Sequence, residues 1–119
     1  MSSIVVLDEN APIRELLQEW LSAAAHTVWD ARQLSAAAAA EIDAVLIDLP
    51  KLRDGAQAAV ARARAAYPRA ALIGLSTQLS ASLPPESPTV RDLGLQRLLA
   101  KPCVRAELLE ALAALPPGG

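Results

Sequence analysis

The sequence is poor in cysteine, histidine and aromatic residues. The cysteine and histidine counts limit the kinds of site and cross-link that the protein can have. The single cysteine, Cys103, excludes an internal disulfide framework and is expected to be a packing thiol. The single histidine, His26, has no partner at metal-ligand spacing and is interpreted as a structural or surface residue. No apolar stretch reaches the ~18 residues that cross a bilayer, so we expect no membrane partner. MSS leads directly into an apolar strand without a basic, signal-like segment, which indicates a cytoplasmic protein.

The net charge is also small. The formal net charge of the 119 residues is -2 and the sequence pI is about 5.3, so neither a nucleic-acid footprint nor an acidic disordered tail is visible. A hydrophobic fraction of 53% in a chain of this length predicts one domain with a sizeable core. We assign that domain to residues 1–115 and treat the closing PPGG, residues 116–119, as a tail or truncated linker.

Short apolar runs alternate with longer segments of helical period, which is typical of βα units around a parallel sheet. The predicted strands are Ile4–Leu7, Thr27–Trp29, Ala44–Ile47, Ala71–Leu75 and Arg97–Ala100. The first helix is expected to bury Ile13, Leu16, Leu17, Trp20, Leu21 and Ala24, and the last to bury Val104, Leu108, Leu109 and Leu112. We interpret Trp20 and Trp29 as core or groove residues. The fold class is therefore α/β.

The three connecting helices have weaker patterns. An alanine-rich helix is predicted over about residues 33–41, and another is predicted to follow Gly55 and to run to about Tyr67. Pro84, Pro85 and Pro88 forbid a continuous helix after the fourth strand, so any helix there must be late and short, over about residues 87–93.

Polar residues follow four of the predicted strands: Asp8 and Glu9, then Asp48, then Ser76, then Lys101. Because parallel strands end at the same edge of a sheet, we expect these side chains to share one pocket. Crowded carboxylates repel one another unless a cation joins them, and oxygen ligands favour Mg²⁺. A carboxylate beside a cation and an ammonium can attack phosphorus, so Asp48 is the candidate nucleophile. Lys101 and Ser76 would then contact the phosphoryl oxygens.

Four segments in this order, IVVLDENAPIREL, DAVLID followed by DG, the serine after strand four, and AKP, resemble the receiver domain of bacterial response regulators, the CheY-like family. The resemblance covers essentially the whole chain. It implies a flavodoxin-like, doubly wound sheet of five parallel strands in the order 2-1-3-4-5, with helix four irregular or shortened here. It also implies that Mg²⁺ is held by Asp8, Glu9, Asp48 and the Pro50 backbone carbonyl, and that the Lys101-Pro102 bond is cis.

The function implied by the resemblance is two-component signalling. Asp48 accepts a phosphoryl group from a histidine kinase or phosphotransfer protein, and the chain catalyses only its own phosphorylation and dephosphorylation. The phosphorylated form then switches the binding of a downstream protein, whose identity the sequence does not give. No direct nucleic-acid partner is implied, and the prolines before helix four leave homodimerisation open.

The sequence departs from the family at three places. The Asp54-Gly55 pair lies one residue closer to Asp48 than is usual, which shortens the loop around Pro50, and Glu9 replaces the usual second aspartate. Leu98 and Cys103 stand where aromatic residues are usual, and the chain has no phenylalanine. The third departure is the proline-rich stretch before helix four.

Other interpretations of the same residues remain open at this stage. Asp8, Glu9 and Asp48 could cap helices, and Ser76 or Thr77 could be a turn donor. A pseudo-receiver that binds a partner without phosphorylation would fit the shortened loop. A haloacid-dehalogenase-type phosphatase would need a second acid where Pro50 stands, and a dinucleotide-binding fold would need a glycine-rich turn after strand one.

Overall fold

The computed structural model describes residues 2–53, 55–101 and 103–115. These residues contain five strands: β1 (Ser3–Leu7), β2 (Thr27–Trp29), β3 (Ala44–Asp48), β4 (Ala71–Ser76) and β5 (Arg97–Ala100). They also contain five α-helices, α1 (Ala11–Ala23), α2 (Ala36–Ala39), α3 (Ala56–Ala66), α4 (Pro88–Leu93) and α5 (Arg105–Ala113), and a 3-10 helix that spans Ala31–Gln33.

All five strands are parallel and lie in the order β2-β1-β3-β4-β5, which confirms the predicted fold class and topology. The sheet is covered on both faces. Along β1, Val5 belongs to a core formed with α3 and α4, while Ile4 and Val6 belong to a second core formed with α1 and α5. Burial on both faces explains why the middles of β1, β3 and β4 are apolar at successive positions rather than at alternate ones.

Helix α1 begins where a local hydrogen bond allows it. The Asn10 side chain accepts a hydrogen bond from the Ile13 N–H, and Pro12 occupies the first turn, where a missing N–H costs nothing. The cap is therefore Asn10 rather than Asp8 or Glu9. Leu17 and Leu21 are buried as predicted, but the prediction for Leu16 was wrong, because its side chain is 44% exposed.

The alanine-rich segment forms less helix than predicted. A 3-10 turn ends at Gln33, and α2 is a single turn that begins after its Ser35 cap. Alanine has a high helix propensity but buries little apolar area, so packing adds little to hold a longer helix against the sheet. Val104 was also misassigned, since it precedes α5 and is 65% exposed.

Helix α4 is short, as the prolines predicted, and Gly94 ends it in the left-handed conformation with φ of 77°. The preceding residues 77–87, here called the edge loop, cover the free side of β5. The Leu83 N–H donates to the Leu98 carbonyl over 2.7 Å, and Ser82 Oγ accepts from the Ala100 N–H over 2.9 Å. Because β5 is the last strand of the sheet, these bonds occupy donors and acceptors that an edge would otherwise present to other chains.

Replacing Ser82 with alanine is expected to lower the free energy of unfolding by about 1–2 kcal/mol, because the half-buried Ala100 N–H then loses its acceptor. Ser82 Oγ also donates to Glu107 Oε1 on α5 over 3.1 Å, so the edge loop loses one hydrogen bond to β5 and one to α5. Urea unfolding measures the change. Ser80→Ala, at an exposed site in the same loop, is the control, and equal stability of the two variants would contradict this role.

Within the described part of the chain, no helix combines the length and the apolar character needed to cross a membrane. The predicted tail, residues 116–119, lies outside the described residues.

Candidate functional site

The register of the sheet brings the predicted site residues to one edge. Leu7 is level with Ile47, Asp48 with Leu75, and Ser76 with Ala100. Asp8 and Lys101 each follow the last residue of a strand, so they leave the sheet beside Asp48 and Ser76. Parallel pairing thus assembles residues that are far apart in sequence.

Lys101 lies between the two aspartates. Its Nζ donates to Asp8 Oδ2 over 3.0 Å and to Asp48 Oδ1 over 2.9 Å. All three side chains are largely buried, with exposed fractions of 10% for Lys101, 2% for Asp8 and 23% for Asp48. One ammonium therefore faces two carboxylates, and this trio carries a net negative charge.

The electrostatics of Lys101 have two opposing parts. Burial by itself lowers the pKa of the Lys101 ammonium, while hydrogen bonds and charge from Asp48 and Asp8 raise it. The sum of the Asp48 and Asp8 contributions outweighs burial, and the pKa of Lys101 is raised above its ordinary value. Lys101 is consequently a fixed positive charge at neutral pH.

Asp8 is held in place by the start of α1. Its Oδ1 accepts a hydrogen bond from the Asn10 N–H over 2.9 Å, and its backbone carbonyl accepts one from Arg14 Nη1 over 2.9 Å. Arg14 is half-buried and anchors the backbone of the site through this bond. An arginine one turn into the first helix gives no periodic signal for such a contact.

Ser76 is fully buried at the end of β4. Its Oγ accepts a hydrogen bond from the Gln78 N–H over 3.1 Å, and its carbonyl accepts one from the Lys101 N–H over 2.8 Å. A hydroxyl that accepts from a backbone N–H still has its own hydrogen to donate. Thr77, the other candidate, is exposed.

Glu9 and Pro50 are exposed and line, together with Asp8 and Asp48, a groove of about 1070 Å³. Among the described residues, no group of three or more His, Cys, Asp or Glu side chains is arranged to hold a metal ion. The Asp8 and Asp48 carboxylates are nevertheless hard oxygen donors that line the groove, and Asp48 is the more exposed of the two. A Mg²⁺ ion, which keeps several waters and takes one or two carboxylates, fits that donor set.

The capping alternative for Asp48 receives no support. Helix α3 begins after Gly55, which adopts φ of 84° and makes no side-chain capping bond, and Asp48 is instead paired with Lys101. Lys101 is buried rather than solvated. The predicted cis bond involves Pro102, which lies outside the described residues.

Cys103 is half-buried and packs against the core formed with α1 and α5, as expected for a packing thiol. Burial, followed by the negative charge of Glu107, raises the pKa of the Cys103 thiol. The thiol is therefore protonated at neutral pH and is not a nucleophile of this site.

No known protein-family model matches the chain, and no curated protein does so. Solved structures do match over nearly the whole chain. Chemotaxis protein CheY4 of Vibrio cholerae is 20% identical with a TM-score of 0.72, and the alignment covers 98% of this chain and 99% of that one. A response regulator of Burkholderia multivorans is 25% identical over 100% of both chains, with a TM-score of 0.63.

A third similar structure is the receiver domain of a sensor histidine kinase from Pseudomonas aeruginosa, with a magnesium ion coordinated in its active site cleft. It is 21% identical with a TM-score of 0.64, and the alignment covers 93% of each chain. The chain therefore has the fold of the CheY-like receiver domains, as the sequence resemblance predicted.

Proposed function

We propose that this chain is a two-component receiver domain in which Asp48 accepts a phosphoryl group from a histidine kinase or phosphotransfer protein. The observation that carries the proposal is the Lys101 ammonium held within 3.0 Å of Asp8 and 2.9 Å of Asp48 at the carboxyl edge of the sheet. A buried carboxylate with an adjacent fixed cation, open to a groove, is suited to nucleophilic attack on phosphorus.

In the proposed reaction an Asp48 oxygen forms a bond to phosphorus. The bond from phosphorus to the donor breaks, and its electron pair leaves with the donor, which is the histidine nitrogen of the partner. The Lys101 ammonium already contacts Asp48 and can donate a hydrogen bond to a phosphoryl oxygen once the group is bound there. The Ser76 hydroxyl hydrogen can donate to another phosphoryl oxygen, because its own lone pair accepts from Gln78.

Asp8, Glu9, Asp48 and the Pro50 backbone carbonyl are the proposed Mg²⁺ ligands. When bound, Mg²⁺ would supply positive charge that neutralises the phosphoryl oxygens and the excess carboxylate charge. Asp8 is the best-placed of these ligands besides Asp48, because the Asn10 N–H and Arg14 fix it. Glu9 and Pro50 are exposed at the rim and would complete the site from the solvent side.

The chain would catalyse only its own phosphorylation and the hydrolysis of its aspartyl phosphate. Its output would be the binding of a downstream protein in the cytoplasm, with no direct contact to nucleic acid or membrane. The edge loop covers β5, and position 98 holds a fully buried leucine instead of an exposed aromatic side chain. The signal therefore cannot leave the domain through the side chain at position 98. We place the responsive surface at the edge loop and α4 instead.

A second candidate is a pseudo-receiver that binds its partner without phosphorylation. It is favoured by the exposure of Glu9 and by the shortened loop around Pro50, which leave two assembled carboxylates rather than three among the described residues.

Mass spectrometry of the intact protein separates the two candidates. After incubation with acetyl phosphate and Mg²⁺, the receiver is expected to gain one phosphoryl group, and EDTA is expected to abolish the gain. Equal partner binding with and without the donor, together with an unchanged mass, would support the pseudo-receiver.

A further inference from the structure

Gln78 connects two loops of the site that are distant in sequence. Its side-chain Oε1 accepts a hydrogen bond from the Leu52 N–H over 2.7 Å, across a separation of 26 residues. Gln78 lies in the edge loop, and Leu52 lies in the loop between β3 and α3, directly after Asp48, Leu49, Pro50 and Lys51. The contact was not predicted from the sequence.

Both ends of this contact are anchored. The Gln78 N–H donates to Ser76 Oγ, and Ser76 is fully buried. On the other side, the Leu49 N–H donates to the Leu75 carbonyl over 2.8 Å and its side chain is buried, while Leu52 packs against the core. Gln78 therefore ties the β3-α3 loop to the rigid end of β4.

Pro50 lies between the two points where the loop is held, the Leu49 and Leu52 amides. It is itself exposed, and so is Lys51, so burial of their side chains does not fix the backbone between those points. Removing the hydrogen bond at the Leu52 amide takes away one of the restraints that fix the Pro50 carbonyl relative to Asp48, while the packing of the Leu52 side chain remains. The hydrogen bond between the Leu52 N–H and Gln78 of the edge loop is thus a restraint on this backbone that the exposed side chains of Pro50 and Lys51 do not supply.

We propose that Gln78 is a positioning residue that holds the Pro50 carbonyl in place for Mg²⁺, and so sets the affinity of the site for the cation. This inference rests on the proposed function, in which Pro50 is a metal ligand. Gln78 contacts neither the cation nor the phosphoryl group. It acts through the Leu52 amide.

The test compares Gln78→Met, which keeps the side-chain length but removes the acceptor, with Gln78→Glu, which keeps an acceptor oxygen. Gln33→Met, at an exposed site at the end of the 3-10 helix, is the matched control. Calorimetric titration with Mg²⁺ is expected to give about 3- to 10-fold weaker binding for Gln78→Met, the effect of losing one hydrogen bond. Gln78→Glu is expected to bind at least as tightly as the wild type.

Amide hydrogen exchange at Leu52, measured by NMR without Mg²⁺, reports the contact independently of the charge that Gln78→Glu adds. Exchange is expected to be faster in Gln78→Met and close to wild type in Gln78→Glu and Gln33→Met. Faster exchange with unchanged Mg²⁺ affinity would overturn the proposal, as would weaker affinity in the Gln33 control. If the wild type itself neither binds Mg²⁺ nor accepts a phosphoryl group, the proposed function fails, whereas a negative result confined to the Gln78 variants leaves that function standing.

Discussion

Replacing Lys101 with methionine is expected to lower the free energy of unfolding by about 2–4 kcal/mol in the absence of divalent cations. The ammonium contacts both Asp8 and Asp48, and its removal leaves two carboxylates facing each other without a positive charge. Water cannot compensate the negative charge of the Asp8 carboxylate, because that side chain is largely buried. The Asp48 side chain is partly exposed, so its carboxylate recovers some hydration. The loss is therefore smaller than for a pair that is buried throughout.

Mg²⁺ is expected to restore a large part of that loss and to raise the melting temperature of Lys101→Met more than that of the wild type, because the cation takes over the neutralising role. Phosphorylation by acetyl phosphate should nevertheless remain slow, since no ammonium contacts the phosphoryl group. Lys51→Met, at an exposed position, is the control and should match the wild type in both measurements. The test is the melting temperature of each protein measured with Mg²⁺ and with EDTA. An equal rise with Mg²⁺ in Lys101→Met and in the wild type would contradict the neutralising role of Lys101.

The Gly74→Val variant is expected to lose about 2–3 kcal/mol of stability through overpacking. A β-carbon at position 74 would lie 2.7 Å from Leu98 Cδ1, 2.9 Å from Leu95 Cδ1 and 3.1 Å from Leu49 Cδ1. These are ends of side chains, yet Leu98 and Leu49 are almost completely buried and have little space into which to move. Glycine at this point of β4 is what allows Leu98 to pack over the strand.

A double-mutant cycle checks that packing. The double variant Gly74→Ala, Leu98→Ala should lose at least about 0.5 kcal/mol less free energy of unfolding than the sum of the losses in the two single variants. The reason is that the smaller side chain at position 98 makes room for the methyl group at position 74. Leu99→Ala is the matched control, since Leu99 is equally buried but belongs to the core on the other face of the sheet, and its effect should add to that of Gly74→Ala. Additivity with Leu98→Ala in urea unfolding would contradict the contact.

Strands β1, β3 and β4 could be predicted because each contains a short apolar run that needs cover on both faces. Strand β5 was predicted with the observed bounds, Arg97–Ala100, and the parallel order followed from the family resemblance. The errors fall on segments where the hydrophobicity or helix propensity of the residues does not by itself decide burial or helix length. Leu16 fits the helical stripe of α1 but lies beyond its contact with the sheet, and the alanine run carries helix propensity without area to bury.

Part of the site was predictable for the same reason. Asp8, Asp48 and Lys101 each end a strand, and parallel strands must end together, so the structure brings these three into contact. The bonds of Gln78 to Leu52 and of Ser82 to Ala100 could not be predicted, because loops have no period and their partners are set by the packed sheet. Arg14 was missed because its contact is to a backbone carbonyl.

The position of Leu98 changes how a signal would leave the domain. Its side chain is fully buried over Gly74, and its carbonyl is bonded to Leu83 of the edge loop. The edge loop is joined to the site through Gln78 and to α5 through Ser82. Under the proposed function, a displacement of Ser76 toward a phosphoryl group would pull on this loop first, and we therefore propose residues 77–93 as the output surface.

The central claim is that Asp48 accepts a phosphoryl group, and mass spectrometry of wild type and Asp48→Asn after incubation with acetyl phosphate and Mg²⁺ tests it most directly. Asp92→Asn, at an exposed site on α4, is the matched control. The wild type and the control are predicted to gain one phosphoryl group, and Asp48→Asn none. An equal gain in Asp48→Asn, or no gain in the wild type with acetyl phosphate or with a cognate kinase, would contradict the claim.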